Sequence, residues 1–152
     1  MRTKTFFRMM VAILVVGLFA GTADAQPWRN WRGSGGWCMG GAYQRMYNPA
    51  TVATVTGEVV SVQEAVPAKG MTPGIHLSVK TAEGELPVHL GPIWFMERLD
   101  TPIEVGDKVE VKGSRVTFDE KPALIAGEIK KGDTVLVLRN EAGVPVWAGW
   151  RR

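Results

Sequence analysis

Residues 52–62 carry the sequence VATVTGEVVSV, and this stretch decides the fold. It is rich in β-branched residues and lacks proline, a composition typical of a β-strand. Gly57 interrupts it near the middle, and a glycine inside a strand indicates a bulge or a sharp bend. A long, bent first strand suits a small closed barrel, because that strand then serves both sheets of the barrel.

Shorter segments with strand character follow. Apolar and polar residues alternate at 75–80 (IHLSVK) and 86–90 (LPVHL), which predicts two strands joined by a turn at 82–84. Pro92 opens the segment 93–99, whose apolar residues share one face of a short helix. Further strands are predicted at 108–112 with an extension to 118, at 123–129, at 134–138 and at 144–147.

The order of these elements is three strands, a short helix and two strands, with an added C-terminal hairpin. It predicts an all-β protein: a five-stranded OB-fold-like barrel with one short helix between strands 3 and 4. Another small barrel or an open sandwich is the alternative. We therefore assign residues 51–152 to one OB-fold-like domain.

The first 25 residues have the three parts of a secretory signal peptide. A basic start precedes an apolar run at 9–20, and an Ala-x-Ala site ends at Ala25. The apolar run is shorter than the roughly 20 residues that a membrane-spanning helix needs. We expect export and cleavage near Ala25, which leaves the mature protein in the periplasm or secreted. An uncleaved N-terminal anchor is the alternative.

The formal net charge of +3 is divided unevenly along the chain. Without the three basic residues and one acid of the signal peptide, the 18 basic and 15 acidic residues fall to 15 and 14. Residues 26–50 hold three arginines and no acid, whereas residues 51–152 hold 12 basic and 14 acidic residues. The predicted domain is therefore mildly acidic, and the segment before it is basic.

That basic segment, 26–50, is rich in Trp, Arg and Gly and has no helical or strand period. Such a composition buries little apolar surface, so we expect a flexible arm. Indole rings bury area while arginines pair with phosphate, so the arm suits an anionic surface or polymer. The alternative is that its aromatic residues fold back and cover an edge or pocket of the domain. The residues concerned are Trp28, Arg29, Trp31, Arg32, Trp37 and Arg45.

Two short motifs connect the chain with a known family. TGEV at 56–59 and GDKVEVKG at 106–113, together with the signal peptide, resemble exported bacterial OB-fold (BOF-like) proteins, a stress-linked periplasmic family. The similarity covers residues 51–130. The chain is still more similar to small secreted proteins of unassigned role that are labelled DNA-binding by fold analogy. The resemblance implies the OB fold and a binding role, although a fold alone does not define a function.

No catalytic or cofactor motif is present. The sequence has no nucleophile elbow, no zinc-protease motif, no phosphate loop and no dinucleotide fingerprint. We therefore expect a protein that is not an enzyme and that has no cofactor. Cys38 is the single cysteine, so a disulfide within the chain is excluded. Pairing between molecules, metal binding and an inert thiol stay open for it.

The candidate ligand site lies on the second and third strands. Alternation places His76, Ser78 and Lys80 on the outward face of one strand and His89 on the same face of the next. A two-residue loop of Glu83 and Gly84 opposes Ser78 to His89, and a four-residue loop opposes His76 to His89. In OB folds this face binds ligands, here an unknown ligand or an envelope protein. A second hypothesis is a periplasmic metal site formed by His76 and His89.

A third hypothesis is binding of single-stranded nucleic acid, which needs a basic groove and stacking aromatics. The candidate contacts are Lys80, Lys108, Lys112 and Arg115. Glu85 and Glu110 lie among them, and the second and third strands hold no Phe, Tyr or Trp. The charge balance therefore favours an exported, non-enzymatic binding module of the bacterial envelope over a nucleic-acid-binding protein.

Overall fold

The computed structural model describes residues 35–37 and 39–148. The predicted signal peptide, the first part of the predicted arm and Cys38 lie outside the described residues. Two short 3-10 helices, Gln44–Met46 and Pro49–Thr51, precede the first strand. The remaining elements are β1 (Val52–Ala65), β2 (Gly74–Thr81), β3 (Gly84–Pro92), α1 (Ile93–Met96), β4 (Lys108–Phe118), β5 (Lys121–Lys131) and β6 (Thr134–Val137).

Five strands close into a barrel. β1 pairs antiparallel with both β2 and β4, β2 pairs with β3, and β4 pairs with β5. A short parallel pairing of β3 with β5, through Val88 with Leu124 and His89 with Ile125, closes the ring. β6 pairs with β5 and lies outside the ring. This is the OB-fold arrangement, so the predicted fold class is confirmed.

The length of β1 lets it pair on both sides. Its first half pairs with β4 and its second half with β2, and Glu58 has a partner in each. The bulge lies between Val59 and Ser61 rather than at Gly57. A side chain at Gly57 would overlap the Lys80 carbonyl oxygen and approach Val79 Cγ1 to 2.7 Å. The glycine therefore permits the close approach of β1 to β2 that closure requires.

The barrel interior is apolar. Alternate residues of the strands point inward and are buried, and Phe95 of α1 joins them. Burying each such side chain contributes roughly 1.5–3 kcal/mol, so this layer supplies most of the stability. The interior residues are Val59, Leu77, Val79, Val88, Leu90, Phe95, Val109, Val111, Leu124, Ala126 and Ile129.

Two predicted elements are shorter than expected. α1 has four residues, one turn rather than two, and no helix in the described part of the chain is long and apolar enough to cross a membrane. The final hairpin is reduced to one antiparallel bridge between Arg139 and Pro145. Asn140 Oδ1 accepts the Ala142 and Val144 N–H groups at 3.0 and 2.9 Å and so holds the turn, while Pro145 has no N–H group to donate to a ladder.

Candidate functional site

The outward face of the β2–β3 hairpin carries the predicted ligand residues. Thr81 pairs with Gly84 at the turn, so the observed register is the one that opposes the two histidines. Facing pairs on antiparallel strands lie close enough for their side chains to interact. From the strand ends toward the turn, the facing pairs are His76 with His89, Ser78 with Pro87, and Lys80 with Glu85.

The two histidines form a stacked pair. Their rings are nearly parallel, at 6°, with centroids 3.9 Å apart. Tyr43 Oη lies 3.0 Å from His89 Nδ1, and the Phe118 ring meets His89 edge-on at 4.6 Å. His89 is only 2% exposed, so it lies on the predicted face of the hairpin but is closed to solvent. Alternation placed it on the outer face, but distant residues cover that face.

Two tryptophans extend this cover along the hairpin. A Cβ atom at Gly74 would overlap the Trp37 ring, and one at Gly91 would lie 2.7 Å from the Trp147 ring. The indoles therefore rest directly on glycine backbone. Trp37 Nε1 donates to the Thr72 carbonyl at 2.9 Å, and Trp147 Nε1 donates to the Trp37 carbonyl at 3.0 Å. Trp37, Tyr43, Phe118 and Trp147 together form what we call the aromatic cover.

The described part of the predicted arm lies against the barrel. Trp37 and Tyr43 are 0% and 3% exposed, which differs from the flexible arm that composition predicts. Asn48 N donates to Ser114 Oγ at 2.9 Å and anchors the end of the segment on β4. Buried aromatic surface and satisfied indole N–H groups offset the entropy of ordering this glycine-rich chain. The alternative of aromatics folding back therefore describes this part.

Burial also sets the charge of the histidines. Burial, followed by repulsion from His76 and Arg139, lowers the pKa of His89 to about 3. Burial lowers the pKa of His76 as well. Both imidazoles are therefore neutral at pH 7.

The arrangement of the histidines does not form the predicted metal site. Imidazole binds a metal through a lone pair in the ring plane, and lone pairs in two parallel planes cannot meet at one ion. His89 Nδ1 already faces Tyr43 Oη. Within residues 35–37 and 39–148, no group of three or more His, Cys, Asp or Glu side chains is placed to hold a metal ion.

The other half of the hairpin face is open. Ser78 Oγ donates to Glu85 Oε2 at 2.9 Å, and Lys80 is exposed. Lys80 borders a surface cavity of about 510 Å³ that runs across β2, β1, β4 and β5. We call it the lysine groove, because its lining includes Lys80, Lys108 and Lys130, together with Glu58 and Glu110.

The four residues predicted to contact nucleic acid do not form one surface. Lys80 and Lys108 meet in the lysine groove, where Glu58 lies between them as the pairing partner of both. Lys112 lines a different cavity, and Arg115 is on the later part of β4, opposite Leu124. The four residues therefore do not form a continuous basic surface.

Sequence reasoning missed two participants. Lys130 enters the groove because β5 pairs it with Glu110, a register that depends on the bulge between Lys112 and Gly113. Trp147 falls in the strand predicted at 144–147, and that pattern does not show that its indole covers the hairpin face. The available signal was a glycine near each histidine, Gly74 and Gly91, since a bare backbone surface accommodates a ring.

Fold and site together define an OB-fold protein whose hairpin face is half covered by its own aromatic residues. Within that class, the chain belongs to the MamS/MamX magnetosome protein family, whose sequence model matches residues 51–136. The resemblance to BOF-like periplasmic proteins is not confirmed by this match.

One solved structure with a similar chain is the dimeric N-terminal domain of the PriB protein from Thermoanaerobacter tencongensis. The two chains are 19% identical, the similarity covers 54% of this chain and 96% of that one, and the TM-score is 0.39. No curated protein matches the chain.

Proposed function

We propose that the protein is an exported, non-enzymatic binding module of the bacterial envelope that binds an anionic ligand in the lysine groove. The observation that carries this proposal is the convergence of Lys80, Lys108 and Lys130, from three strands, on one cavity of about 510 Å³. The aromatic cover closes the rest of the hairpin face, so the groove is the open continuation of the expected OB-fold ligand surface.

The charges of the groove define the kind of ligand. None of the three lysines forms an ion pair of 4.0 Å or less with another residue of the described part of the chain. Their ammonium groups are therefore available to a ligand. Glu58 and Glu110 interrupt the row, so a ligand with separated anionic groups fits better than a uniform polyanion. An acidic patch on an envelope protein has this character.

Export is part of the same proposal and has its own test. The basic, apolar and Ala-x-Ala parts of residues 1–25 support it. We expect the protein isolated from its host to begin at Gln26. An intact Met1 on the isolated protein, or its recovery from the cytoplasm alone, would contradict export.

The binding test is native mass spectrometry of the mature chain purified from the host periplasm, combined with chemical cross-linking in cells. The test variant is Lys80→Glu with Lys108→Glu. The matched control is Lys69→Glu with Lys121→Glu, because both residues are exposed lysines that line neither cavity. We expect a bound small molecule or a cross-linked envelope protein that the test variant loses and the control keeps.

Retention of the partner by the test variant would contradict the groove as the site. Single-stranded DNA that binds the wild-type protein and dissociates steeply between about 50 and 200 mM salt would instead support the nucleic-acid hypothesis.

A further inference from the structure

Arg139 is the most unusual charged residue of the described chain. It follows β6 and is only 3% exposed. Its Nη1 donates to the Leu90 carbonyl oxygen at 2.9 Å and also to the Ala126 carbonyl oxygen. Its guanidinium carbon lies 5.0 Å from the centre of the Trp147 ring. The residue therefore joins β3, β5 and the aromatic cover from one buried position.

One edge of this guanidinium is unused. Nε and Nη2 are buried, and neither has a hydrogen-bond partner in the described part of the chain. These two nitrogens form the side edge of the guanidinium, whose parallel N–H groups match the two oxygens of a carboxylate or phosphate. Buried donors are normally satisfied, so an unused pair in one plane indicates a missing acceptor.

Among residues 35–37 and 39–148, no carboxylate forms an ion pair of 4.0 Å or less with Arg139. Burial lowers its pKa to about 10, and the groups that raise it are the Tyr43 and Tyr47 phenols. Burial also raises the pKa of both phenols, so they are neutral at pH 7. The guanidinium is therefore charged at neutral pH, and its surroundings contribute dipoles and rings in place of a counter-ion.

A cavity lies next to this residue. It measures about 390 Å³, and Arg139, Tyr47, Lys112 and Asn140 are in its lining. Glu128 and Glu141 also line it, so it favours one small anion over a polyanion. It shares no lining residue with the lysine groove.

We propose that the Nε–Nη2 edge of Arg139 binds one oxyanion, a carboxylate or a phosphate group, which enters from this cavity. The bound anion supplies the acceptors that the buried edge lacks and neutralises the guanidinium, and Lys112 adds a second positive charge to the lining of the cavity. This site is independent of the lysine groove, so either proposal can fail without the other.

The test is NMR of the arginine Nε–H groups in the mature protein, with acetate and phosphate added separately and chloride at matched ionic strength as the control. We expect the Arg139 Nε–H resonance to shift saturably with acetate or phosphate and not with chloride. The anion that binds more tightly identifies the source as a carboxylate or a phosphate.

Three variants separate binding from folding. Arg139→Lys keeps the charge but removes the side edge and its Nε–H resonance, so its affinity is measured by isothermal titration calorimetry and should fall about tenfold. Because Arg139→Lys alters the packed interior, Lys112→Gln provides a milder variant that weakens binding about two- to threefold. Lys121 lies outside the cavity, so Lys121→Gln leaves the affinity for the anion unchanged. An Arg139 Nε–H resonance that is present but insensitive to both anions overturns the proposal, as does unchanged affinity in Arg139→Lys.

Discussion

The two halves of the β2–β3 hairpin face share the same strands and the same alternation, yet they have opposite environments. Near Gly74 and Gly91 the face is closed by the aromatic cover, and His89 is 2% exposed. Toward the turn, Lys80 and Glu85 are exposed and the face continues into the lysine groove. One hairpin therefore serves as a packing surface at one end and as a candidate binding surface at the other.

The covered half is held by residues far apart in the chain. The Trp147 Nε1 bond to the Trp37 carbonyl joins residues 110 positions apart. Trp37 also stacks edge-on against Tyr43, with ring centroids 5.3 Å apart. These contacts fasten the segments before β1 and after β6 to one another over the barrel. We therefore expect the covered half to control stability and the open half to control binding.

The largest effect is expected from Trp147→Ala, which removes one fully buried member of the aromatic cover. Loss of a fully buried indole leaves a cavity and should lower the free energy of unfolding by about 3–5 kcal/mol. Urea denaturation of the mature protein measures this value, and Trp147→Phe should lose less. A loss below about 0.5 kcal/mol, the range of a neutral surface change, would show that the cover does not stabilise the barrel.

The next effect concerns the glycine surface beneath the cover. Gly91→Ala places a methyl group 2.7 Å from the Trp147 ring and should cost about 1–3 kcal/mol by overpacking. In a Trp147→Ala background the same change should cost much less, because the ring that it meets is gone. A double-mutant cycle measures the coupling. Additive losses would mean that Gly91 is needed for a reason other than the indole.

The stacked histidines make the covered half sensitive to acid. The groups that face His89 are His76, Tyr43 and Arg139, and its pKa falls from about 6.5 in the unfolded chain to about 3 in the folded protein. Above pH 6.5 neither state binds this proton, so the stability is fully present. As the pH falls below 6.5, only the unfolded state takes up the proton. The free energy of unfolding then falls by about 1.4 kcal/mol per pH unit.

Urea denaturation between pH 7 and pH 5 measures this loss of stability. The lowered pKa of His76 makes the loss larger. His89→Phe removes one titrating group and should flatten the profile, whereas Lys80→Ala should not. An equally steep profile in His89→Phe would assign the acid sensitivity to other residues.

The smallest effect on stability is expected in the open half. Ser78→Ala and Lys80→Ala should change the free energy of unfolding by no more than about 0.5 kcal/mol, because both side chains lie on accessible surface and Ser78 loses one hydrogen bond that water replaces. A loss comparable with that of Trp147→Ala would remove the distinction between the two halves.

Much of the fold follows from local patterns. The alternation at 75–80 and 86–90 predicts the hairpin, and the proline at 92 with the apolar residues after it predicts a helix between strands 3 and 4. Both are present. The site was less predictable. The shared face of His76 and His89 follows from a period of two, but the cover does not, because the segment before β1 has no period from which its contacts can be inferred.

The order of the strands, the position of the helix and the side of each strand on which a residue lies all follow from the amino-acid sequence. These are local properties, set by the backbone geometry of neighbouring residues. The tertiary structure alone decided that Trp37 and Trp147 close one half of the face, that Lys130 joins Lys80 and Lys108, and that Arg139 is buried with an unused edge. These are contacts between distant residues, and they depend on barrel closure and register rather than on any one segment.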